Sequence, residues 1–301
     1  MTVSGKKAAP LAIKHVEELN AHVLYTAHWA TPYYINKMHT PRPYTICFCP
    51  DLYSNGAFDV DCNNFLISSD VGARKVERIR MYAGGNITRI PFPSRPEIAE
   101  LKRPGMKLEL RRELGLDESA FTVSLSDGGY GMARLGKTVE HILAIADTPI
   151  TVIALCGTND ALCKRLKKLA DERPNKNVSL IALNFTDKIT KYIAASDLYV
   201  GKSGANSISE PASLGVPIIV TKCITYIERG IKNYYVRRLK GALYIPNSRL
   251  AAKKILSFAH SPELLTPYRK NLLATPDTLY NAEASADLIW QRICELGYAE
   301  E

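Results

Sequence analysis

The chain has 301 residues, 46% hydrophobic and 23% charged, with 39 Lys and Arg against 30 Asp and Glu and a formal charge of +9. Length and apolar content suffice for two domains of ordinary size with cores of their own. No apolar run approaches the roughly 18 residues of a membrane span and no signal peptide is visible, so any membrane contact is expected to be peripheral.

In chain order, residues 1–9 read as polar and unstructured, and Leu11, Ile13, Val16 and Leu19 predict a short helix. Strands are expected at His22–Ala27, Tyr44–Cys49, Phe65–Ser68 and Ile87–Ile90, with a helix rich in Arg and Lys at Val71–Tyr82. Pro91-Phe92-Pro93-Ser94-Arg95-Pro96 is dense in proline and reads as an interdomain linker. Beyond it, helices are expected at Lys107–Leu114, Leu135–Ala146, Ala161–Arg173 and Ile189–Ala195, and strands at Phe121–Leu125, Ile150–Leu155 and Val178–Leu183. Leu250–His260, Pro262–Leu273 and a last helix at Ala282–Leu296 complete the chain. Strand alternating with helix at this spacing argues for parallel βαβ units, an α/β class. The domains are read as 1–94 and 95–301, with the last helices in the second.

The positive balance implies an anionic partner and leaves nucleic acid, nucleotide phosphates and an acidic membrane surface all open. The seven cysteines are scattered, and Cys47-Phe48-Cys49 has no second pair at zinc spacing. No metal site is expected, and several of these residues lie in apolar runs and read as small buried thiols of a reducing cytoplasm.

The chemistry concentrates in Asp197–Val220. A short apolar strand from Leu198 runs into the turn Gly201-Lys202-Ser203-Gly204. A helix follows, ended by Gly215 with Pro217 behind it, and then a second buried strand at Ile218–Val220. Amides at the start of that helix suit a phosphate. Two readings of Glu210 stand open: a carboxylate two turns in that accepts from a ribose diol, or the last member of a Ser207-x-x-Glu210 capping box. Lys202 can neutralise a diphosphate or lie as a surface lysine. A second glycine-rich turn, Ser126-Asp127-Gly128-Gly129-Tyr130-Gly131-Met132, follows a strand and precedes a helix.

Ser203, Gly204, Ser207, Ile208, Ser209, Glu210, Gly215, Val216 and Pro217 together resemble the donor-site signature of glycosyltransferase family 28, which includes monogalactosyldiacylglycerol synthases and processive diacylglycerol glucosyltransferases. Gly128, Gly129 and Gly131 resemble that family's glycine loop, with Asp127 where glycine is usual. Cys156-Gly157-Thr158-Asn159 and Asn184-Phe185-Thr186-Asp187 resemble two further segments, the second reading the uracil edge through its backbone, with the Phe185 side chain expected in the core. Ile224–Tyr235 resembles the segment holding the donor sugar; Glu228 matches, whereas Ile227 and Ile231 depart. Read on its own, Glu228-Arg229 is a solvated charge pair on a loop. In the first domain His28 and Asp51 resemble residues that follow two of the family's strands, and they are the acid–base candidates there.

The resemblance implies a GT-B fold of two Rossmann-like domains, the first lacking about 70–100 residues by the usual size of such a domain. It implies transfer of a hexose from a UDP-sugar to a lipid acceptor such as diacylglycerol, with no cofactor, no metal and no nucleic acid. Localisation is expected to be cytoplasmic, peripheral at the inner face of an anionic membrane. The alternative is a UDP-sugar-binding half that depends on a partner subunit or a second copy for catalysis. A nucleotide-sugar epimerase on the same fold would need a paired acid and base, which the sequence does not offer.

Overall fold

The computed structural model describes residues 4–38, 41–52, 60–78, 86–93, 95–129, 133–274 and 281–298. The elements run α1 (Ser4–Glu18), β1 (Val23–Thr26), α2 (Ala30–Ile35), β2 (Tyr44–Cys49), β3 (Asn64–Ile67), α3 (Asp70–Arg78), β4 (Asn86–Arg89), α4 (Ile98–Leu101) and α5 (Met106–Glu113). They continue β5 (Phe121–Ser126), α6 (Ala133–Ile145), β6 (Ile150–Leu155), α7 (Asp160–Glu172), β7 (Val178–Leu183), α8 (Ile189–Ala194), β8 (Leu198–Lys202), α9 (Ala205–Ser213) and β9 (Ile218–Lys222). Last come α10 (Tyr226–Asn233), β10 (Ala242–Tyr244), α11 (Ser248–His260), α12 (Thr266–Leu273) and α13 (Ala282–Glu295). The expected α/β alternation is present. The first helix begins at Ser4, inside the stretch read as unstructured, and α2 and α10 fall where no helix was expected.

Two compact units result, Met1–Pro93 with Asn281–Glu301, and Ser94–Tyr280. The last helix is expected in the second domain. It returns instead to the first unit, where the Ser285 hydroxyl donates to the Pro91 carbonyl at 2.6 Å and the Asn281 amide reaches the Phe92 carbonyl at 3.3 Å.

In the first unit the strands pair in parallel in the order β1-β2-β3-β4. On one face Cys47, Cys49, Phe65 and Ile67 pack with Val76 of α3 and with Trp29. The opposite face carries Ile46, Leu66 and Ile90, which line a cavity of about 370 Å³ together with Leu288, Ile289 and Arg292 of α13. Parallel strands buried on both faces read as continuous apolar runs, and β2 is buried at every position after Tyr44.

The second unit has a six-stranded parallel sheet in the order β10-β9-β8-β5-β6-β7. The chain steps outward from β5 to β7, returns to β8 beside β5, and steps outward the other way. The order therefore reverses between β5 and β8, and crevices for ligands in open parallel sheets form at the carboxyl ends of strands at such a reversal. Ser126 of β5 is level with Gly201 of β8, so the turns after these two residues lie side by side. Every residue of β5 and of β6 is buried, and Val123, Leu125, Val152, Ala154, Leu198 and Val200 join Leu135, Val139 and Ile142 of α6 in one core.

Cys47, Cys49, Cys62, Cys156 and Cys163 are buried thiols, as read. Burial pushes the Cys49, Cys62 and Cys156 thiols up to about 12. The thiolate is the nucleophile, so iodoacetamide at pH 8 should label Cys223 and Cys294, which are only half-buried, well before these five in peptide mapping of the native protein. Equal labelling would contradict the burial.

Candidate functional site at the sheet reversal

The glycine loop after β5 is shaped by two left-handed residues and one buried carboxylate. Gly128 has φ 84°, and a Cβ there would come within 2.9 Å of Lys202 Cε. Gly129 is held from β6: its carbonyl accepts from the Thr158 amide at 2.8 Å and from the Thr158 hydroxyl at 3.1 Å. Gly157, with φ 60°, leaves room for that carbonyl. Gly131 lies outside the described residues. Asp127 is 3% exposed and accepts from the Leu135 amide at 2.9 Å. Burial pushes its carboxyl above the usual range, against the pull of the Leu135 amide and of Lys222, Arg134 and Lys202.

The N-terminus of α6 is thus served by an internal anion. That of α9 is not. Gly204 is its N-cap and no side chain caps it. Lys202 lies over this start, its Cε 3.2 Å and Nζ 3.5 Å from where a Cβ on Gly204 would stand. An amide end without a capping side chain and an adjacent ammonium, flanked by glycines that admit close approach, form an anion cradle.

Ser203 is wholly buried and does not point into the cradle. Its hydroxyl donates to the Glu228 carbonyl at 2.9 Å. Glu228 belongs to a helix, not to the loop expected from the sequence, and it is 9% exposed. Thr225 and Glu228 form a reciprocal capping box on α10. One carboxylate oxygen accepts from the amides of Ile224 and Thr225, and the other is 3.6 Å from Lys202 Nζ. Glu228 therefore steers Lys202. Ile231, where the resemblance expects a sugar-binding amide, is fully buried.

The capping reading of Glu210 is excluded. The N-cap is Gly204, so Ser207 is the third helical residue and half-buried, and Glu210 is a full turn further in. Its carboxylate lies 3.4 Å from Arg95 Nε. Phe185, expected in the core, is 75% exposed after β7. The helix C-terminus conforms to expectation: Gly215 adopts φ 67° and Val216 donates to the Pro211 carbonyl at 2.9 Å.

In the first unit His28 and Asp51 follow the adjacent parallel strands β1 and β2 at the same edge of the sheet. The His28 ring is exposed and stacks on Trp29, and its Nδ1 accepts from the Ala30 amide at 3.1 Å. In the neutral ring Nε2 then carries the proton, so His28 presents a donor and not a base. Asp51 is half-buried.

Arg95, Arg134 and Lys222 had no assigned role in the donor site from the sequence. Arg134 donates to the carbonyls of Thr221 and Pro246 at 2.7 and 2.9 Å, and Lys222 is paired in register with Lys202. No local pattern signals them, because each is brought in by strand pairing or by a segment remote in sequence.

Residues 128–225 match the family described as glycosyltransferase family 28 C-terminal domain. A stretch of 151 residues is 32% identical to monogalactosyldiacylglycerol synthase 1, chloroplastic, of Arabidopsis thaliana, covering 48% of this chain and 27% of that protein. Over 226 residues the chain is 24% identical to the UDP-N-acetylglucosamine–N-acetylmuramyl-(pentapeptide) pyrophosphoryl-undecaprenol N-acetylglucosamine transferase of Streptomyces collinus, 73% of this chain and 58% of that one. The chain thus spans less than two thirds of either relative. The crystal structure of Acinetobacter baumannii MurG superposes with a TM-score of 0.66 at 11% identity, over 95% of this chain and 77% of that chain. The family resemblance read from the motifs is borne out, and the fold is of the GT-B type.

Proposed function

From a chain whose residues 128–225 carry the family 28 C-terminal match, we propose a glycosyltransferase that moves a hexose from a UDP-sugar to a lipid hydroxyl such as that of diacylglycerol. The observation that carries the donor side is the cradle at the sheet reversal, where Gly128, Lys202 and Gly204 meet the α9 start without a capping side chain and Glu210 stands one turn deeper. The two relatives, a monogalactosyldiacylglycerol synthase and a UDP-N-acetylglucosamine–N-acetylmuramyl-(pentapeptide) pyrophosphoryl-undecaprenol N-acetylglucosamine transferase, support a UDP-sugar donor and a lipid-linked acceptor.

The diphosphate lies on the α9 amides and Lys202, and the ribose diol donates to Glu210. As the acceptor hydroxyl attacks the anomeric carbon, the sugar–phosphate bond breaks and the diphosphate gains charge. That charge is stabilised by the α9 amides and by the Lys202 ammonium held by Glu228. A positive side chain and helix dipole supply what a metal would, so the reaction is expected to survive chelation by EDTA. Asp51 is the better candidate to take the acceptor proton, since the His28 lone pair at Nδ1 is engaged.

Glu210→Ala should weaken UDP binding by roughly 10- to 150-fold, the loss of a charge-assisted hydrogen bond of about 1.5–3 kcal/mol. Calorimetric titration of the folded variant tests this, and unchanged affinity would remove Glu210 from the site. Activity is tested with labelled UDP-sugars and diacylglycerol; UDP binding without turnover in the 301-residue chain would favour the partner-dependent reading.

No helix among the described residues is long and apolar enough to cross a membrane. Peripheral contact with an anionic surface is part of the proposal, through the basic stretch Arg74, Lys75, Arg78 and Arg80 together with Arg42, Arg89 and Arg95; of these, Arg42 pairs with Asp61 at 3.3 Å and Arg89 with Asp70. The side chains of Arg78 and Arg80 lie outside the described residues. Each basic residue at an anionic surface contributes about 1 kcal/mol, screened by salt. Co-sedimentation with anionic liposomes should therefore occur at low salt and vanish at high salt; binding that persists in high salt would contradict an electrostatic contact.

A further inference from the structure

The Glu210 side chain is 16% exposed, and its partner is the Arg95 guanidinium, 3.4 Å away. The guanidinium is held from behind. Arg95 Nη1 is 3.9 Å from Glu97 Oε1, and that oxygen accepts from the Thr190 hydroxyl at 3.1 Å, a residue 1% exposed on α8. A chain of four groups, Thr190, Glu97, Arg95 and Glu210, thus ends on one carboxylate of α9. Nothing in the family match accounts for it, since Arg95 and Glu97 lie before residue 128.

Charge explains why such a chain is useful. Burial pushes the Glu210 carboxyl up, Arg95 opposes that rise, and Glu97 adds to it. Tyr199 of β8 is the other titratable group beside Glu210, and burial holds its phenol far above any working pH. A carboxylate accepts two O–H groups, whereas a protonated carboxyl presents a donor of its own to the second. Charge-assisted recognition of a vicinal diol, with both O–H groups donating to one carboxylate, therefore uses the ionised form.

We propose that Arg95 is a positioning residue of the donor site, orienting the Glu210 carboxylate and keeping it charged for the ribose diol, with Glu97 and Thr190 holding the guanidinium in place. This role rests on Glu210 being the ribose ligand. Arg95 is 45% exposed in its side chain, so its replacement leaves the core of the unit intact.

Two measurements on the whole chain test it. The first follows the ¹³C carboxyl resonance of Glu210 with pH, without nucleotide. In Arg95→Ala its midpoint should rise by about one pH unit or more, the effect of removing an opposite charge at this range. Arg95→Lys, which keeps the charge and loses the planar fork, should rise less. The second titrates UDP from pH 5.5 to 8.5. Ionisation of the UDP phosphate is common to both proteins and cancels in the ratio of affinities. Arg95→Ala should bind within about threefold of the parent at pH 8.5 and progressively more weakly as pH falls toward 5.5, by a ratio that approaches and does not exceed about tenfold for each unit by which the midpoint has moved. An unmoved carboxyl midpoint overturns the proposal whatever UDP does. So does a loss of affinity that is the same at every pH, which would mean direct contact between Arg95 and the nucleotide, or no loss at all. If the midpoint moves but Glu210→Gln binds UDP like the parent, the ribose reading itself fails and the positioning role falls with it.

Discussion

Replacing Asp197 with asparagine should lower the stability of the second unit by up to about 3–5 kcal/mol, the cost of removing one partner from a buried ion pair, since Arg111 is buried although Asp197 itself is only half-buried. Asp197 opens β8 and ties three elements together. Its Oδ2 accepts from Arg111 Nη2 at 2.6 Å and from the Thr122 amide at 2.8 Å, and its Oδ1 meets Lys107. Arg111 is 4% exposed, and it also donates to the carbonyls of Ala195 and Glu118 at 3.0 and 2.8 Å. Without the carboxylate a buried guanidinium keeps two carbonyl partners but no counter-charge. Burial alone would raise the Asp197 carboxyl, yet Lys107, Arg111 and the amide together hold it below the usual range. A carboxyl depressed in the folded state contributes stability above its unfolded value, near 4, and loses it as pH falls through the folded value. The penalty of Asp197→Asn should accordingly be full at pH 7 and shrink below about pH 4. Denaturant melts read by hydrogen exchange of the β5 and β8 amides measure it. Glu113→Gln, which breaks the exposed pair with Lys191 at 2.6 Å, is the control and should cost under about 1 kcal/mol. Equal effects of the two variants would show that Asp197 is no keystone.

The sheet of the second unit was legible because parallel strands covered on both faces tend to continuous apolar runs, as Ile150–Leu155 is apart from Thr151, whereas Phe121–Leu125 alternates and its small hydroxyl residues Thr122 and Ser124 are buried as well. The glycines after those strands marked the turns for the same reason that they occupy them, since Gly128 and Gly157 adopt positive φ. Burial at a loop was not legible. Phe185 is an aromatic two residues past an apolar strand, and only the tertiary structure decides that it is 75% exposed. One capping pattern has opposite outcomes at its two occurrences. Ser207-x-x-Glu210 has the residue types of a capping box, but its helix already began after Gly204. Thr225-x-x-Glu228 has the same types and does form one. The distinction lies in where the preceding strand ends: Lys202 closes β8 two residues before the Gly204 cap, while Lys222 closes β9 three residues before Thr225. Charge clusters were the least legible part. Asp127, Lys202, Lys222 and Arg134 come from three separate stretches, and only the pairing of β8 between β5 and β9 brings them together.

Gly157→Ala should destabilise the second unit by about 2–5 kcal/mol and, on the donor-site reading, weaken UDP binding by more than tenfold. The left-handed backbone, φ 60°, costs an L residue roughly 1–2 kcal/mol. The remainder comes from a collision that has no flexible escape. A Cβ at Gly157 would stand 2.2 Å from the Gly129 carbonyl oxygen and 2.7 Å from its carbon, both backbone atoms. That oxygen must move, and it is the acceptor for the Thr158 amide and hydroxyl, two bonds each contributing about 0.5–1.5 kcal/mol. Moving Gly129 also moves Gly128, whose Cα faces Lys202, so strain introduced after β6 reaches the ammonium over the start of α9. Gly115→Ala separates strain from collision. Gly115 has φ 66°, and a Cβ there would meet nothing within 4 Å. It should cost only the left-handed term, about 1–2 kcal/mol, and leave UDP affinity unchanged. If the two alanine variants melt together and bind UDP equally well, the Gly129 carbonyl is not what pins the loop, and the diphosphate cradle does not depend on the contact between β6 and β5.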